Sequence, residues 1–153
     1  MNPALKLVSD NFSSGTGSSA DGRRLKPGNG HKRKATILVV EDEILIRLAT
    51  SDYLREQGYR VLEASNASEA LSVFAAGEPI ELVFPDVNMP GRMSGNALAQ
   101  LIHQQFPDVK VLLASGESSG PLQALGAGEY GPVLIKPYAH ETLLAHIKQL
   151  LAP

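Results

Sequence analysis

Four short apolar runs in this chain each end at a charged or polar residue. Short continuous apolar runs are typical of strands that helices cover on both faces. Parallel strands end at the same edge of a sheet, and open α/β sheets bind ligands there. The sequence therefore predicts that three carboxylates, a hydroxyl and an ammonium meet at one edge. The runs end at Glu41-Asp42, at Asp86, at Ser115 and at Lys136.

Segments with helical spacing alternate with these runs. The strands are predicted at residues 36–40, 60–64, 80–85, 109–114 and 133–135. The helices are predicted at residues 44–57, 67–76, 96–105 and 140–151, with glycine stops at Gly58 and Gly77. Residues 116–131 carry five glycines and Pro121, and only 122–125 resembles a helix. Five strands that alternate with helices indicate an α/β fold, a parallel sheet with helices on both faces.

Charge divides the chain into two parts. Residues 1–34 contain seven Lys/Arg and two Asp and are rich in Ser and Gly, so we expect a disordered basic tail. Its cluster His31-Lys32-Arg33-Lys34 has the charge to meet nucleic acid or an acidic partner, but a solvated boundary is the simpler interpretation. Residues 35–153 contain seven Lys/Arg and 14 Asp/Glu, and an acidic domain is a poor match to DNA phosphates.

Composition excludes several kinds of site. The chain has no cysteine, which rules out disulfides, thiolate metal sites and cysteine nucleophiles. It has no apolar stretch of about 20 residues and no signal-peptide core, so we expect a cytoplasmic protein without a membrane partner.

The residues at the predicted edge suit phosphoryl chemistry. Oxygen ligands without His or Cys favour Mg²⁺, and an aspartate can act as a nucleophile that forms an aspartyl-phosphate. Lys136 and Ser115 would then bind the phosphoryl oxygens. Each residue alone also has a purely structural interpretation. Glu41-Asp42-Glu43 suits a helix amino terminus, and Asp86 suits a turn. Their joint placement at four strand ends favours the functional interpretation.

These motifs resemble the receiver domain of two-component response regulators. The resemblance covers about residues 35–152. It implies a flavodoxin-like fold with strand order 2-1-3-4-5, and phosphorylation of Asp86 by a sensor histidine kinase or histidine phosphotransferase. It also implies that Asp42, Asp86 and the carbonyl of Asn88 bind Mg²⁺, that Glu41 acts through water, that Ser115 and Lys136 sense the phosphate, and that the Lys136–Pro137 peptide is cis. The motifs are Val39-Val40-Glu41-Asp42-Glu43, Asp86-Val87-Asn88-Met89-Pro90-Gly91, Ala114-Ser115-Gly116 and Lys136-Pro137-Tyr138.

Three positions depart from that pattern. Pro85 precedes Asp86 and removes a strand N–H. Val133 stands where the family usually carries an aromatic switch residue, and we expect Tyr130 and Tyr138 to serve packing instead. Residues 116–131 are glycine-rich where the family has its fourth helix, so we expect that helix to be short or mobile.

The leading hypothesis is a stand-alone response regulator that is not an enzyme beyond its own phosphorylation and slow autodephosphorylation. We expect it to act through an output protein, since the chain stops two residues after Leu151. The alternative is a phosphate-independent receiver that serves as a binding module. A haloacid-dehalogenase-type phosphatase needs a second Asp at position 88, which is Asn. A dinucleotide-binding fold lacks its glycine motif after the first strand.

Overall fold

Strands and helices alternate along the chain as the apolar pattern predicts. The computed structural model describes residues 33–116 and 129–153. Nearly all of the predicted tail and all of residues 122–125 lie outside that part. The elements in chain order are β1 Thr36–Val40, α1 Ile44–Glu56, β2 Arg60–Ala64, α2 Ala67–Ala75, β3 Leu82–Pro85, α3 Gly95–Gln105, β4 Lys110–Val111, β5 Leu113–Gly116, β6 Val133–Lys136 and α4 His140–Leu151.

All strand pairs are parallel, which places every carboxyl end at one edge. The order is β2-β1-β3-β4 in one section and β5-β6 in the other, and a parallel bridge between Asp86 and Ala114 joins the two. β4 and β5 are two halves of the predicted fourth strand, and β6 is the predicted fifth. The predicted α/β fold with order 2-1-3-4-5 is confirmed, and its fourth strand is interrupted at one residue, Leu112.

The break in the fourth strand has a cause in β3. The N–H of Leu112 donates to the carbonyl of Val83 at 3.0 Å, and the N–H of Val87 donates to the carbonyl of Ala114 at 2.7 Å. Bonds of one strand to the same neighbour recur every two residues. The bond before the one from Val87 to Ala114 would therefore run from the N–H of residue 85 to the carbonyl of Leu112. Proline has no N–H, so this bond is missing. The hydrogen-bond ladder to β3 is therefore incomplete at Leu112, between β4 and β5.

The core lies on both faces of the sheet because successive strand residues point to opposite sides. Leu38 and Val40 pack with side chains of α2 and α3, whereas Ile37 and Val39 pack with side chains of α1 and α4. All five residues of β1 are buried, as expected for a strand covered on both faces. A fully buried Leu or Ile contributes about 1.5–3 kcal/mol relative to an exposed one, so the central strands are anchored firmly.

Local signals set the helix ends. Asn66 caps α2 by accepting from the N–H of Glu69 at 2.9 Å, and the Glu69 carboxylate accepts from the N–H of Ser65, the residue before the cap, at 2.7 Å. Ser94 caps α3 by accepting from the N–H of Ala97, so this helix begins one residue earlier than predicted. Among the described residues, no helix has the length and apolar character needed to cross a membrane.

A buried hydroxyl on α1 gives a test of this packing. Ser51 is fully buried, and no partner for its Oγ is found within the described part of the chain. Ser51→Ala should raise the free energy of unfolding by about 1 kcal/mol, because it removes an unsatisfied polar group and favours the helix. Urea denaturation measures this change.

The matched control is Ser72→Ala in α2, whose exposed hydroxyl donates to the carbonyl of Ser68 at 3.1 Å. It should gain less than half as much as Ser51→Ala. A loss of stability in Ser51→Ala relative to this control would show that the buried hydroxyl makes a stabilising bond.

Candidate functional site

The residues that the sequence predicts for the site come from four separate strand ends. Glu41 and Asp42 follow β1, and Asp86 follows β3. Ser115 lies within β5, and Lys136 is the last residue of β6. Because the strands are parallel, the structure brings all of them to the carboxyl edge, as predicted.

Lys136 connects the acidic residues. Its Nζ lies 2.6 Å from Oδ2 of Asp86 and 2.8 Å from Oε2 of Glu41. Both carboxylates are almost fully buried, with relative exposures of 6% for Asp86 and 5% for Glu41. Charged groups taken out of water need close, hydrogen-bonded partners, and Lys136 supplies one for each acid.

Asp42 completes a set of three carboxylates. One oxygen from each of Glu41, Asp42 and Asp86 lies within 4.8 Å of the others, and Asp42 is exposed. Carboxylate oxygens without His or Cys are the donor set that Mg²⁺ prefers, and one of the three acids is open to solvent. Lys136 offsets only part of their negative charge, so the donor set fits a divalent cation.

The backbone around Asp86 holds its carboxylate in place. Its own N–H donates to the carbonyl of Val40 at 3.0 Å, and the next residue bonds to Ala114. The N–H of Asn88 donates to Oδ1 of Asp86 at 3.0 Å. Lys136 therefore binds one carboxylate oxygen and the loop backbone binds the other. The structure places the backbone of Asn88 beside Asp86, and the predicted role of its carbonyl as a Mg²⁺ ligand stays a prediction.

The crowding of charges changes two pKa values. Burial raises the pKa of Glu41, and the charge of Asp86 adds to this, while hydrogen bonds from Lys136 and from the N–H of Glu43 oppose it. Burial acts to lower the pKa of Lys136, but its hydrogen bonds and attraction to Asp86 and Glu41 outweigh burial and raise that pKa to about 12. Lys136 is therefore a permanent cation at neutral pH.

Ser115 lies at the right edge but does not contact the acids in this state. It is fully buried, and its hydroxyl donates to the carbonyl of Gly116 at 3.4 Å. Ser115 follows Ala114, which is the residue paired with Asp86. The predicted role of Ser115 toward a phosphoryl oxygen stays a prediction.

The structure also locates the departures noted in the sequence. Val133 opens β6 and packs against one face of the core. Tyr138 packs edge-on against Phe84 with ring centroids 5.8 Å apart, and Tyr130 packs near His103 on the other face. Both tyrosines therefore have packing contacts, as expected. The Lys136–Pro137 peptide is cis, as predicted.

Sequence reasoning missed Gly95 as a residue that positions the site. A Cβ built on Gly95 would lie 1.9 Å from the carbonyl oxygen of Asp86, so only glycine lets α3 begin this close to the site. The N–H of Gly95 also donates to the carbonyl of Val87 at 3.2 Å. Its place directly after the helix cap Ser94 was the available signal.

Comparison with known proteins decides between the families that use a strand-end aspartate. The sequence pattern of the response regulator receiver domain matches residues 37–148. The chain belongs to the response regulator receiver family. Receiver domains serve two-component signalling, and this places the chain in that class of proteins.

Curated relatives combine receiver domains with other regions. The chain is 40% identical over 114 residues to the response regulator protein FleR of Pseudomonas aeruginosa, with 72% of this chain and 23% of FleR covered. It is 32% identical to the transcriptional regulatory protein PdtaR of Mycobacterium tuberculosis, with 73% of this chain and 54% of PdtaR covered. The receiver thus spans a quarter to about half of the length of these two relatives.

Solved receiver structures share the fold. The chemotaxis protein CheY4 of Vibrio cholerae aligns with a TM-score of 0.68 at 31% identity, covering 77% of this chain and 99% of CheY4. The response regulator TrrA of Thermotoga maritima, solved with Mg²⁺ and BeF, aligns with a TM-score of 0.68 at 32% identity, covering 76% of this chain and 99% of TrrA. Both comparisons support the flavodoxin-like receiver fold.

The raised pKa of Lys136 predicts a pH dependence. Its pKa in the folded chain, about 12, exceeds the ordinary value of 10.5. The ion pairs therefore contribute fully to stability below pH 10.5, and this contribution is lost as the pH rises through about 12. An NMR titration of the Lys136 side chain should give a pKa near 12 in the wild type and a lower value in Asp86→Asn. Equal titrations in the two proteins would contradict the ion pair.

The close approach of Gly95 predicts a large effect of one methyl group. Gly95→Ala should lower the free energy of unfolding by about 3 kcal/mol, because the Cβ forces α3 away from the Asp86 backbone. It should also shift the amide signal of Asn88, which reports the Asp86 carboxylate. The control Gly77→Ala has φ +76° but open space around it, so its cost should be about 1 kcal/mol without a shift at Asn88. Similar effects of both variants would contradict the positioning role.

Proposed function

We propose that this chain acts as a response regulator receiver that accepts a phosphoryl group on Asp86 and signals through contacts with another protein. The observation that carries the proposal is the arrangement around Asp86, where Lys136 lies 2.6 Å away and two further carboxylates complete a cation site. Membership of the receiver family indicates phosphoryl transfer as the class of reaction. These residues provide an acceptor carboxylate, an ammonium and candidate ligands for a cation.

The phosphoryl transfer uses a small number of groups. A carboxylate oxygen of Asp86 attacks the phosphorus, a new P–O bond forms, and the bond to the donor breaks with its electron pair leaving on the donor. The donor atom is a histidine nitrogen in a kinase or phosphotransferase, or an oxygen in acetyl phosphate. Lys136, already at the carboxylate, then offers its ammonium to the phosphoryl oxygens. Ser115 offers a hydroxyl from the neighbouring strand.

The three carboxylates would hold Mg²⁺ for this step. Asp42 and Asp86 would be direct ligands together with the carbonyl of Asn88, and Glu41 would act through water. The cation, when bound, would neutralise the charge that builds on the phosphoryl oxygens. Glu41 is buried whereas Asp42 is exposed, so Asp42 is the more accessible of the two as a direct ligand.

The surface beside the site suits a protein as phosphoryl donor. Ile44, Leu45 and Leu48 at the start of α1 have relative exposures of 57%, 72% and 43%. An exposed apolar cluster of this kind marks a contact surface. A cavity of about 380 Å³ opens beside α1, lined by Ile46, Ala49, Thr50, Lys136, Pro137, Tyr138 and His140. Because Lys136 lines this cavity, a docked partner would reach the charged site directly. We propose a sensor histidine kinase or a histidine phosphotransferase as that partner.

Phosphorylation of Asp86 can be tested with a small-molecule donor. Acetyl phosphate and Mg²⁺ should add one phosphoryl group to the wild type, detected by intact mass, and Asp86→Asn should add none. The control Asp52→Asn changes an exposed acid of α1 that pairs with Arg55 at 3.3 Å, away from the site, and should be phosphorylated like the wild type. Removal of Mg²⁺ with a chelator should abolish the reaction.

Two outcomes would overturn the proposal. Labelling of Asp86→Asn at the wild-type rate would place the acceptor elsewhere. A wild type that takes no phosphoryl group, and whose NMR spectrum does not respond to saturating beryllofluoride with Mg²⁺, would favour the phosphate-independent binding module.

A further inference from the structure

The gap that Pro85 makes in the sheet divides the functional site into two parts. Glu41, Asp42 and Asp86 follow strands of the section β2-β1-β3-β4. Ser115 and Lys136 belong to the section β5-β6. The boundary between the two sections therefore runs between the phosphate acceptor and the groups expected to sense the phosphate.

Few backbone bonds cross this boundary near the site. The bonds from Leu112 to Val83 and from Val87 to Ala114 flank the missing donor of Pro85. Inside the β5-β6 section the ladder is continuous, with four residue pairs from Leu113–Val133 to Gly116–Lys136. The section is thus more firmly joined within itself than to β3.

Side-chain charge crosses the boundary as well, beside the backbone bond from Val87 to Ala114. Lys136 extends from the last residue of β6 to Asp86 and Glu41 in the other section, at 2.6 and 2.8 Å. Both acids are buried, so these ion pairs are little screened by solvent. They act as a clamp whose strength depends on the charge at Asp86.

We propose that Pro85 is a positioning residue: by removing one ladder bond to β3 it lets the β5-β6 section shift more readily as a unit, with the Lys136 ion pairs as its clamp. A residue with an N–H at position 85 would close the ladder to Leu112 and hold the section to β3 whatever the charge at Asp86. This inference rests on the proposed function in one respect only, since phosphorylation of Asp86 is the natural event that alters the clamp.

The shift would reach the protein surface. Ile135 of β6 is paired with Ser115 and has a relative exposure of 37%. A movement of β6 as a unit would change how Ile135 is presented to a partner. It would do so without an aromatic side chain at Val133.

A double-mutant cycle tests the inference without phosphate. Asp86→Asn releases the clamp, and Pro85→Ala supplies the missing N–H. Amide hydrogen exchange is measured in β5 and β6 for the wild type, both single variants and the double variant. Asp86→Asn should speed exchange of these amides about tenfold in the Pro85 protein and less than about threefold in the Pro85→Ala protein, because each crossing hydrogen bond adds a modest stabilisation.

Two further variants support the cycle, one as a control for the loss of a proline and one as a substitute for Pro85→Ala. Pro107→Ala removes an exposed proline from the turn before β4, so it matches the change in the unfolded chain without adding a ladder donor. With Asp86→Asn it should retain the tenfold response. If Pro85→Ala does not fold, Pro85→Val supplies the same N–H with a side chain suited to strands.

Equal exchange responses in the Pro85 and Pro85→Ala proteins would overturn the inference, as would faster exchange confined to the loop after Asp86. A separate arm adds Mg²⁺ and beryllofluoride to the wild type. If that reagent does not bind, the proposed phosphorylation fails, but the cycle with Asp86→Asn still decides the role of Pro85.

Discussion

The pair of ion contacts made by Lys136 is the interaction on which the site depends. The parallel sheet brings Glu41, Asp42 and Asp86 to one edge, where their like charges oppose one another. Glu41 and Asp86 are buried, so water does not stabilise their charges as it does at an exposed site. A single ammonium at hydrogen-bonding distance from both makes the arrangement stable, yet leaves negative charge over. Lys136 neutralises only part of the negative charge of the three carboxylates, so the site favours a further cation.

Pro85 removes one hydrogen bond from the sheet directly beside the functional site. In a buried central strand proline is unusual because it removes a ladder bond. Here the removed bond lies between the strand that presents Asp86 and the strand that presents Ser115. The neighbouring bonds keep the sheet parallel and in register, with Asp86 paired to Ala114. The fold tolerates the gap since the core on both faces still buries these strands.

The sequence predicts most of the fold because the apolar runs of the strands and the helical spacing of the apolar residues between them are both clear. Strands β1 and β2 agree with their predicted bounds, and α2 and α3 differ by one residue. The broken fourth strand was not predicted, although Pro85 was recognised as a departure, because the effect depends on which neighbour faces its missing N–H. The meeting of the site residues was predictable from strand ends. The role of Gly95 was not predicted, because its place after Ser94 marks a helix start but not how closely the backbone of Asp86 approaches it.

The placement of Ser115 and Lys136 explains why receiver chemistry needs strands as well as charges. A lysine on a flexible loop would pair with any nearby acid, whereas Lys136 ends a strand whose partner carries Ser115 in the same ladder. The two groups therefore keep a fixed relation to each other, while Lys136 also pairs with Asp86 through its charge. Phosphorylation would replace one carboxylate with a group of greater charge and reach. A change of charge at Asp86 would therefore act first on the two ion pairs of Lys136, at the end of a strand that carries Ser115 on its partner.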